Sequence, residues 1–328
     1  MANVKYYSEV IPKDVEWLWY PYIPYGKITL LQGDPGDGKS TFAIHLAAIL
    51  TNGASFPDNY QVKTPQIVIY QCAEDGTEDT IKPRLTEAGA DCNRVAFIAE
   101  ENREAGLSID DVRIEDAIVK TGAKCLILDP IQSFIPSDMD MQSAQKMRSL
   151  LSNLTELAAK YQCAIILIGH MTKASGGKNL YRGLVSIDIA AIARSVLMIT
   201  RDQEQPEVRY MFPVKTSLAP EGKAIAFILD KQSGFHWLGP CSRNKEEILS
   251  QHGDGVTKKG RAKELIRIML SAGEVPSTDI YNRLKDLGIG ERTIRTAGQE
   301  VKIKAIKRGS VWYWRLESDE KQDVNSQE

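Results

Sequence analysis

Residues 33 to 41 have the types and spacing that bind the phosphates of a nucleoside triphosphate. They match the pattern GxxxxGK[ST] and lie between the apolar run "KITLLQ" and the stretch "KSTFAIHLAAIL", whose apolar residues recur at helical spacing. Glycines let backbone N–H groups approach phosphate oxygens, and the start of a helix adds partial positive charge. We expect Lys39 to bind the β- and γ-phosphates of ATP, Ser40 to bind Mg²⁺ and Thr41 to lie at the α-phosphate. The expected nucleotide-binding residues are Gly33, Asp34, Pro35, Gly36, Asp37, Gly38, Lys39, Ser40 and Thr41.

Acidic residues follow two further apolar runs that are typical of buried strands. Asp129 ends "CLILD", and Glu74 follows "IVIYQCA". Ligands bind at the carboxyl ends of parallel strands, so Asp129 is a candidate for ordering Mg²⁺ and Glu74 for polarising the attacking water, with Asp75 as the alternative base. A capping aspartate and a solvated acidic turn are the competing interpretations of these positions.

A histidine and a lysine follow a third buried run. His170 and Lys173 lie in "LIGHMTK", where a polar side chain could sense the γ-phosphate and signal to the next loop. A lone histidine with a purely structural role is the alternative.

The elements that must position these residues are alternating strands and helices. "QIVIYQC" precedes the helical "DTIKPRLTEAG", "CLILD" precedes "SAQKMRSLLSNLTELAAKY", and "CAIILIGH" precedes "IDIAAIARSV". Such alternation predicts an α/β fold with a mainly parallel sheet covered on both faces. "SVLMIT", "VRYMFPVK" and "AIAFIL" are predicted strands that extend this sheet.

The composition excludes several classes of protein. With 43% apolar and 26% charged residues, the chain of 328 residues is neither disordered nor fibrous. No run approaches the ~18 apolar residues of a membrane span, and "MANVKYYSEVIPKD" lacks an export pattern. Five scattered cysteines without metal-ligand spacing indicate a reduced compartment, so we expect a cytoplasmic protein.

The C-terminal part differs in charge from the rest. Residues 257–317 hold 14 Lys/Arg and 7 Asp/Glu, which favours contact with a polyanion, whereas the last eleven residues are acidic. Three short helical segments and the hairpin "IKAIKRGSVWYWRL" form the pattern of a winged helix. We therefore predict an ATPase domain at 1–240, a linker at 241–257, a winged-helix domain at 258–317 and a disordered acidic tail at 318–328.

The third of these helices resembles a recognition helix. Ile294, Ala297 and Val301 recur at core spacing, which turns polar residues outward toward DNA, and lysines continue onto the wing. The expected DNA contacts are Arg292, Arg295, Gln299, Lys302, Lys304, Lys307 and Arg308. Protein docking and a purely structural role are the alternatives. Trp312 and Trp314 are expected to pack the small core rather than to stack on bases.

Several motifs together resemble the RecA-type ATPases related to the RepA hexameric helicase of plasmids, and most of all the AAA family ATPases of phages and mobile elements. They are "WLWYPYIPYGK", "GDPGDGKST", "AEDGTEDTIKPRL", "LILDPIQSF", "GHMTK" and "YRGLVSIDIAAIARSVL", in order across residues 10 to 230. The resemblance implies Glu74 as catalytic base, Asp129 as the Walker B residue and His170 as sensor. It also implies a homo-oligomeric ring, usually a hexamer, with nucleotide at subunit interfaces.

The resemblance also implies a basic finger from the neighbouring subunit, whose positive charge would offset the charge that builds up in phosphoryl transfer. The candidates are Arg182, Arg194 and Lys215, which the sequence does not rank; Ser217 stands where related helicases have the arginine of a "KxR" pair. In such rings the loop after the sensor strand faces the channel. Here Lys173 and Lys178 could bind phosphates of single-stranded DNA, although an ordinary surface loop is the alternative.

Three functional hypotheses follow. The first is a DNA-dependent ATPase, a ring-forming replicative helicase that uses ATP and Mg²⁺, holds single-stranded DNA in the ring and meets duplex DNA at the winged helix. The second is an ATP-switched DNA-binding regulator. The third is a helicase loader or docking protein that holds a replication partner.

Overall fold

The computed structural model describes residues 4–99, 106–136, 144–170, 187–243, 247–248, 258–270, 273–286, 289–309 and 311–316. The chain divides into two compact units, Met1–Ile248 and Leu249–Glu328. The domain boundaries expected from the sequence at 240 and 257 stay predictions. Within the described ranges, no helix combines the length and the apolar character that crossing a membrane requires.

The first unit is an α/β structure, as predicted. Its strands are β1 (Trp17–Trp19), β2 (Ile23–Pro24), β3 (Ile28–Gly33), β4 (Val68–Cys72), β5 (Val95–Ala96), β6 (Cys125–Asp129), β7 (Ala164–His170), β8 (Ser195–Arg201), β9 (Val208–Thr216), β10 (Ala224–Asp230) and β11 (Gly234–Cys241). Its helices are α1 (Lys39–Asn52), α2 (Lys82–Glu87), α3 (Val112–Thr121), α4 (Ala144–Tyr161) and α5 (Ile187–Ile192).

Nine of these strands form one sheet in the order β11-β10-β9-β8-β3-β7-β6-β4-β5. The pairings from β8 through β3, β7, β6 and β4 to β5 are parallel, whereas β9, β10 and β11 extend the sheet antiparallel from β8. The mainly parallel sheet and its extension by the three later strands are therefore confirmed, whereas the antiparallel direction of these strands was not predicted. The carboxyl ends of β3, β6 and β4 lie at one edge, where ligands of parallel sheets bind.

The last strand of the sheet was not predicted from the sequence. β11 ends at Cys241 and so runs into the first residue of the predicted linker. It is an edge strand, where Pro240 is tolerated because no neighbour needs its missing N–H. Phe235 and Trp237 of β11 pack against the main core.

The main core lies between the sheet and its helices. The central strands are buried on both faces, and Trp19 stacks on Phe56 with ring centroids 4.4 Å apart. Helix α1 follows β3 directly and packs Phe42 within 5.3 Å of Trp237, centroid to centroid. This packing fixes the turn between β3 and α1 on a rigid base.

The second unit has its own small core. It consists of α6 (Lys258–Leu270), β12 (Val275–Pro276), α7 (Ser277–Asp286), α8 (Glu291–Val301), β13 (Ile303–Arg308) and β14 (Val311–Leu316), with an antiparallel sheet in the order β12-β14-β13. Its core contains Ile294, Ala297 and Val301 at the spacing expected from the sequence. The element order is the one expected of a winged helix, and that assignment stays a prediction.

The two tryptophans of the hairpin differ in their surroundings. Trp314 is buried in the small core, as expected, with 7% of its surface exposed. Trp312 is 48% exposed, so the expectation that it packs the core is wrong. The two residues lie on the same face of β14, but Trp312 lies two residues closer to the hairpin tip than Trp314.

Candidate functional site

The turn between β3 and α1 has a backbone that requires glycine at two points. Gly36 and Gly38 have φ angles of 83° and 92°, in the left-handed region that other residues rarely adopt. Gly38 precedes the first residue of α1, and no side chain of the described residues caps that helix start. The turn therefore presents main-chain groups and a helix N-terminus, as an anion site requires.

Lys39 is almost fully buried within this turn. Its Nζ donates 2.9 Å hydrogen bonds to the carbonyl oxygens of Gly33 and Asp34. Burial lowers the pKa of Lys39, and the nearby carboxylates of Asp37, Asp129, Asp34 and Glu74 oppose that shift. The predicted Walker B aspartate and the predicted catalytic glutamate thus both act electrostatically on the predicted P-loop lysine.

Asp129 and Glu74 lie at the same sheet edge but differ in exposure. Asp129 ends β6 and is buried, and its carboxylate accepts a 2.8 Å hydrogen bond from the hydroxyl of Tyr70. Glu74 is exposed two residues after β4. Asp75, the alternative base, forms an ion pair with Arg84 at 2.7 Å.

Asp34 and Asp37 shape the loop itself. The carboxylate of Asp37 is buried and accepts a 3.1 Å hydrogen bond from the backbone N–H of Asp34. Pro35 lies on the exposed side of the turn, and Ser40 and Thr41 are half-buried in the first turn of α1. Asp37 thus holds the backbone of the loop, whereas Pro35, Ser40 and Thr41 are at least partly accessible.

The other predicted residues of the first unit are placed only in part. His170 ends β7, paired in register with Gly33 of β3, so its backbone borders the phosphate loop. Lys173, Lys178 and Arg182 lie outside the described residues. Their predicted roles stay predictions.

Two of the three finger candidates lie side by side. Arg194 is exposed, and its charge helps lower the pKa of Lys215, for which burial is the larger cause. The Nζ of Lys215 donates 2.9 Å hydrogen bonds to the carbonyl oxygens of Ala190 and Ala191, next to the end of α5. Lys215 is therefore bound within its own subunit, whereas Arg194 makes no side-chain hydrogen bond or ion pair with the described residues.

Two residues of the site were missed by the sequence reasoning. The hydroxyl of Tyr70 binds Asp129, and the Nη2 of Arg201 donates a 2.9 Å hydrogen bond to the carbonyl oxygen of Gly36. Arg201 ends β8, the neighbour of β3, so the rule of strand carboxyl ends could have found it. Tyr70 carried the signal of a hydroxyl near the end of a buried strand.

The residues present fit a bound Mg²⁺–nucleotide. A hard divalent cation prefers oxygen ligands, which the hydroxyl of Ser40 and the carboxylate of Asp129 would supply. Lys39 and the amides of the uncapped helix start would hold the phosphates. When bound, Mg²⁺ supplies charge neutralisation at the phosphate oxygens.

The predicted DNA contacts of the second unit are all exposed. They are Arg292, Arg295, Gln299, Lys302, Lys304, Lys307 and Arg308. Arg308 forms an ion pair with Glu274 at 2.7 Å, so its charge is partly offset. The contacts with DNA themselves stay predictions.

Solved structures similar to this chain share its fold. One of them, described as an ATPase domain, aligns with a TM-score of 0.50 at 14% identity, over 65% of this chain and 84% of that one. A DnaB-like replicative helicase, solved for its interactions with primase, aligns with a TM-score of 0.51 at 13% identity, over 70% of this chain and 65% of that one.

Curated relatives are similar over about half of this chain. The DNA repair protein RadA of Streptococcus pyogenes serotype M3 is 29% identical over 150 residues, which are 45% of this chain and 28% of that one. RadA of Halalkalibacterium halodurans is 27% identical over 164 residues, 49% of this chain and 32% of that one. The chain thus spans less than a third of the length of these relatives.

The family match covers the nucleotide-binding loop and both carboxylates. Residues 7–176 match the family described as an AAA domain. This segment is just over half of the chain, so the protein belongs to the AAA domain family; it is an ATP-hydrolysing enzyme, and its α/β fold is RecA-like.

Proposed function

We propose that the protein is a DNA-dependent ATPase that assembles as a hexameric ring and separates DNA strands, as a RepA-like replicative helicase of a mobile element or phage. The observation that carries the proposal is the position of Lys39, Asp129 and Glu74 just after or at the ends of β3, β6 and β4, whose carboxyl ends lie at one edge of the sheet. Hydrolysis needs these three roles together: a cation on the phosphates, a carboxylate for Mg²⁺ and a base for the attacking water.

The DNA part of the proposal is supported by charge and by the relatives. Arg295, Gln299 and Lys302 are exposed on or just after α8, and their side chains make no hydrogen bond or ion pair with the described residues. The two cations among them, Arg295 and Lys302, can neutralise phosphates and release counterions. RadA is described as a DNA repair protein, and one structural neighbour is a replicative helicase. These names concern those proteins and support the same class of work here.

The test is ATP turnover of the purified chain with and without single-stranded DNA, together with its mass in solution with a non-hydrolysable ATP analogue. We expect turnover strongly stimulated by single-stranded DNA, a ring-sized particle and separation of a forked duplex. A footprint on one duplex sequence with little turnover would identify the regulator instead. Absence of nucleic-acid binding by the purified chain would favour the third hypothesis, a helicase loader or docking protein.

Point variants assign the roles. Lys39→Ala and Glu74→Gln should abolish turnover, because the first removes the phosphate-binding cation and the second the base. Glu87→Gln, the same change at an exposed position at the end of α2, is the matched control and should leave turnover unchanged. DNA binding by the second unit should survive in Lys39→Ala, and its loss there would contradict two independent modules.

A further inference from the structure

The hairpin of the second unit carries an exposed aromatic platform. Lys307 pairs with Trp312 and Ala305 pairs with Trp314 across β13 and β14. Alternation places these four side chains, with Ile303, on one face of the hairpin. Close to the hairpin tip, Trp312 is 48% exposed and the Nζ of Lys307 lies 5.9 Å from its ring centroid.

A cavity of about 370 Å³ opens beside this platform. Besides the hairpin, its walls are Ser277 and Tyr281 of α7 and Arg295 and Gln299 of α8. Trp314 forms the inner end, where Tyr281 meets it edge to face at 5.4 Å between centroids. Ala305 keeps the floor open because a methyl group fills little of the space between the strands. The volume lies at the small end of the range of about 300–1,000 Å³ typical of ligand sites.

The cavity is lined by donors and aromatic rings and by no carboxylate of the described residues. The side chains of Arg295 and Gln299 make no hydrogen bond or ion pair with the part of the chain that the structure describes. Acidic residues of the second unit are paired elsewhere: Glu291 with Lys285, Glu300 with Lys263 and Glu274 with Arg308. The site therefore favours a ligand that combines negative charge with a flat π surface.

We propose that this cavity binds an unpaired base of single-stranded DNA, stacked on Trp312, with Gln299 at the base edge and Arg295 and Lys307 at the flanking phosphates. The proposal rests on the DNA-dependent function and adds a second single-strand site to the molecule. Stacking on an exposed aromatic ring beside cations is how proteins hold single strands without sequence preference. A duplex keeps its base faces stacked on one another, so it offers this cavity phosphates and base edges but no face for Trp312.

The experiment uses the full chain and reads the cavity locally. A single-stranded oligothymidylate carrying 5-iododeoxyuridine is irradiated with the protein, and the cross-linked peptide is identified by mass spectrometry. We expect a cross-link at Trp312 that unlabelled oligothymidylate competes away and an equal concentration of blunt duplex does not. Cross-links confined to other peptides would overturn the proposal. Equal competition by duplex, or by polyglutamate as a model acidic peptide, would overturn it as well.

Two variants test the walls of the cavity. Ala305→Leu fills the floor at an exposed position, so it should fold normally by circular dichroism and lose the cross-link. Arg295→Ala should raise roughly tenfold the concentration of unlabelled oligothymidylate that is needed to halve the Trp312 cross-link. This is the effect of losing one hydrogen bond from a charged group. Arg267→Ala, the same change at an exposed position of α6, is the control and should leave it unchanged.

The outcome is separable from that of the proposed function. ATP turnover is measured on the same preparations. DNA-stimulated turnover without a cross-link at Trp312 overturns this inference and leaves the ATPase proposal standing. A cross-link at Trp312 that oligothymidylate competes away, in a chain without ATP turnover, supports this inference and overturns the ATPase proposal.

Discussion

The hydroxyl of Tyr70 donates a 2.8 Å hydrogen bond to the carboxylate of Asp129 inside the sheet. Burial and the neighbouring Asp129 carboxylate hold the pKa of Tyr70 well above its usual value, so the phenol stays protonated and remains a donor. Tyr70 belongs to β4 and Asp129 to β6, and their strands pair in parallel. The tyrosine therefore orients the residue that we expect to hold Mg²⁺.

Replacing Tyr70 by phenylalanine should weaken the use of Mg²⁺ while the fold is retained. Losing a hydrogen bond that orients a metal ligand typically costs 10–100-fold in affinity or activity, so we expect about a tenfold rise in the Mg²⁺ concentration that half-saturates ATP turnover. Tyr60→Phe is the matched control, because the Tyr60 hydroxyl bonds the carbonyl of Trp17 instead. An unchanged Mg²⁺ dependence in Tyr70→Phe would show that Asp129 does not depend on this donor.

Arg201→Ala should raise the KM for ATP about two- to fivefold with kcat almost unchanged. Arg201 holds the carbonyl of Gly36, so its loss lets the free loop leave the binding conformation, and an exposed hydrogen bond contributes about 0.5–1 kcal/mol. Steady-state kinetics measures the two constants separately. Arg94→Ala removes an exposed arginine that pairs with Asp91 and should change neither. A fall in kcat alone would mean that Arg201 acts in the chemical step.

The phosphate loop and the sheet could be predicted because both depend on local spacing. A strand, a glycine-rich turn and a helix follow one another in the sequence, and alternation of such units implies parallel pairing. The contact of Tyr70 with Asp129 depends on register and strand order: Tyr70 lies opposite Ile127, and its side chain reaches two residues further along β6. One sequence does not contain that information.

The exposed Trp312 shows a second limit. Composition places tryptophan inside small cores, and Trp314 follows that expectation. Trp312 has the same residue type and the same face, yet no helix of the described residues covers it enough to bury it. Burial depends on the length of the hairpin relative to the helices it packs on, which is a tertiary property.

Arg194→Ala should lose ATP turnover by about a thousandfold, the effect of removing an arginine finger, and should recover when mixed with Lys39→Ala. In a mixed ring, an Arg194→Ala subunit supplies the phosphate loop and a Lys39→Ala neighbour supplies the arginine. Turnover of titrated mixtures measures this rescue. Lys215→Ala should show no rescue, because Lys215 binds carbonyls next to α5 of its own subunit. Mixtures of Arg194→Ala and Lys39→Ala that stay inactive would rule out a role in trans.

Gly298→Ala should destabilise the second unit, and the same change should stabilise it when Trp314 is phenylalanine. A Cβ at residue 298 would lie 3.1 Å from the outer ring atoms of Trp314, and strained packing costs about 1–3 kcal/mol. Alanine in mid-helix otherwise gains about 1 kcal/mol over glycine. Phenylalanine at residue 314 lacks the two outer ring atoms of Trp314 that approach the Cβ, so only the stabilisation from replacing glycine by alanine remains. Amide hydrogen exchange of α8 measures both signs in a double-mutant cycle. Equal effects in the two backgrounds would show that Trp314 does not oppose the side chain.

Acidification should destabilise the first unit partly through His45. The imidazole of His45 stacks on Phe235 with centroids 3.8 Å apart, and burial, with a smaller contribution from the charge of His236, lowers its pKa to about 4. Between pH ~6.5 and about 4 the unfolded chain binds a proton here that the folded chain does not, so stability falls as the pH falls through that window. Above it both states are neutral and His45 contributes no pH dependence.

A phenylalanine at residue 45 keeps the stacking on Phe235 and cannot titrate. When the pH is lowered from ~7 to ~5, the unfolding free energy of the parent should therefore fall by about 1 kcal/mol more than that of His45→Phe. This value allows for the partial exposure of the imidazole ring. Urea denaturation at the two pH values measures the difference. In a His236→Gln background, the difference in pH dependence between the parent and His45→Phe should shrink only slightly, because His236 is the smaller cause of the lowered pKa of His45. Parallel losses in the parent and in His45→Phe would mean that His45 is solvated enough to bind its proton in the folded chain.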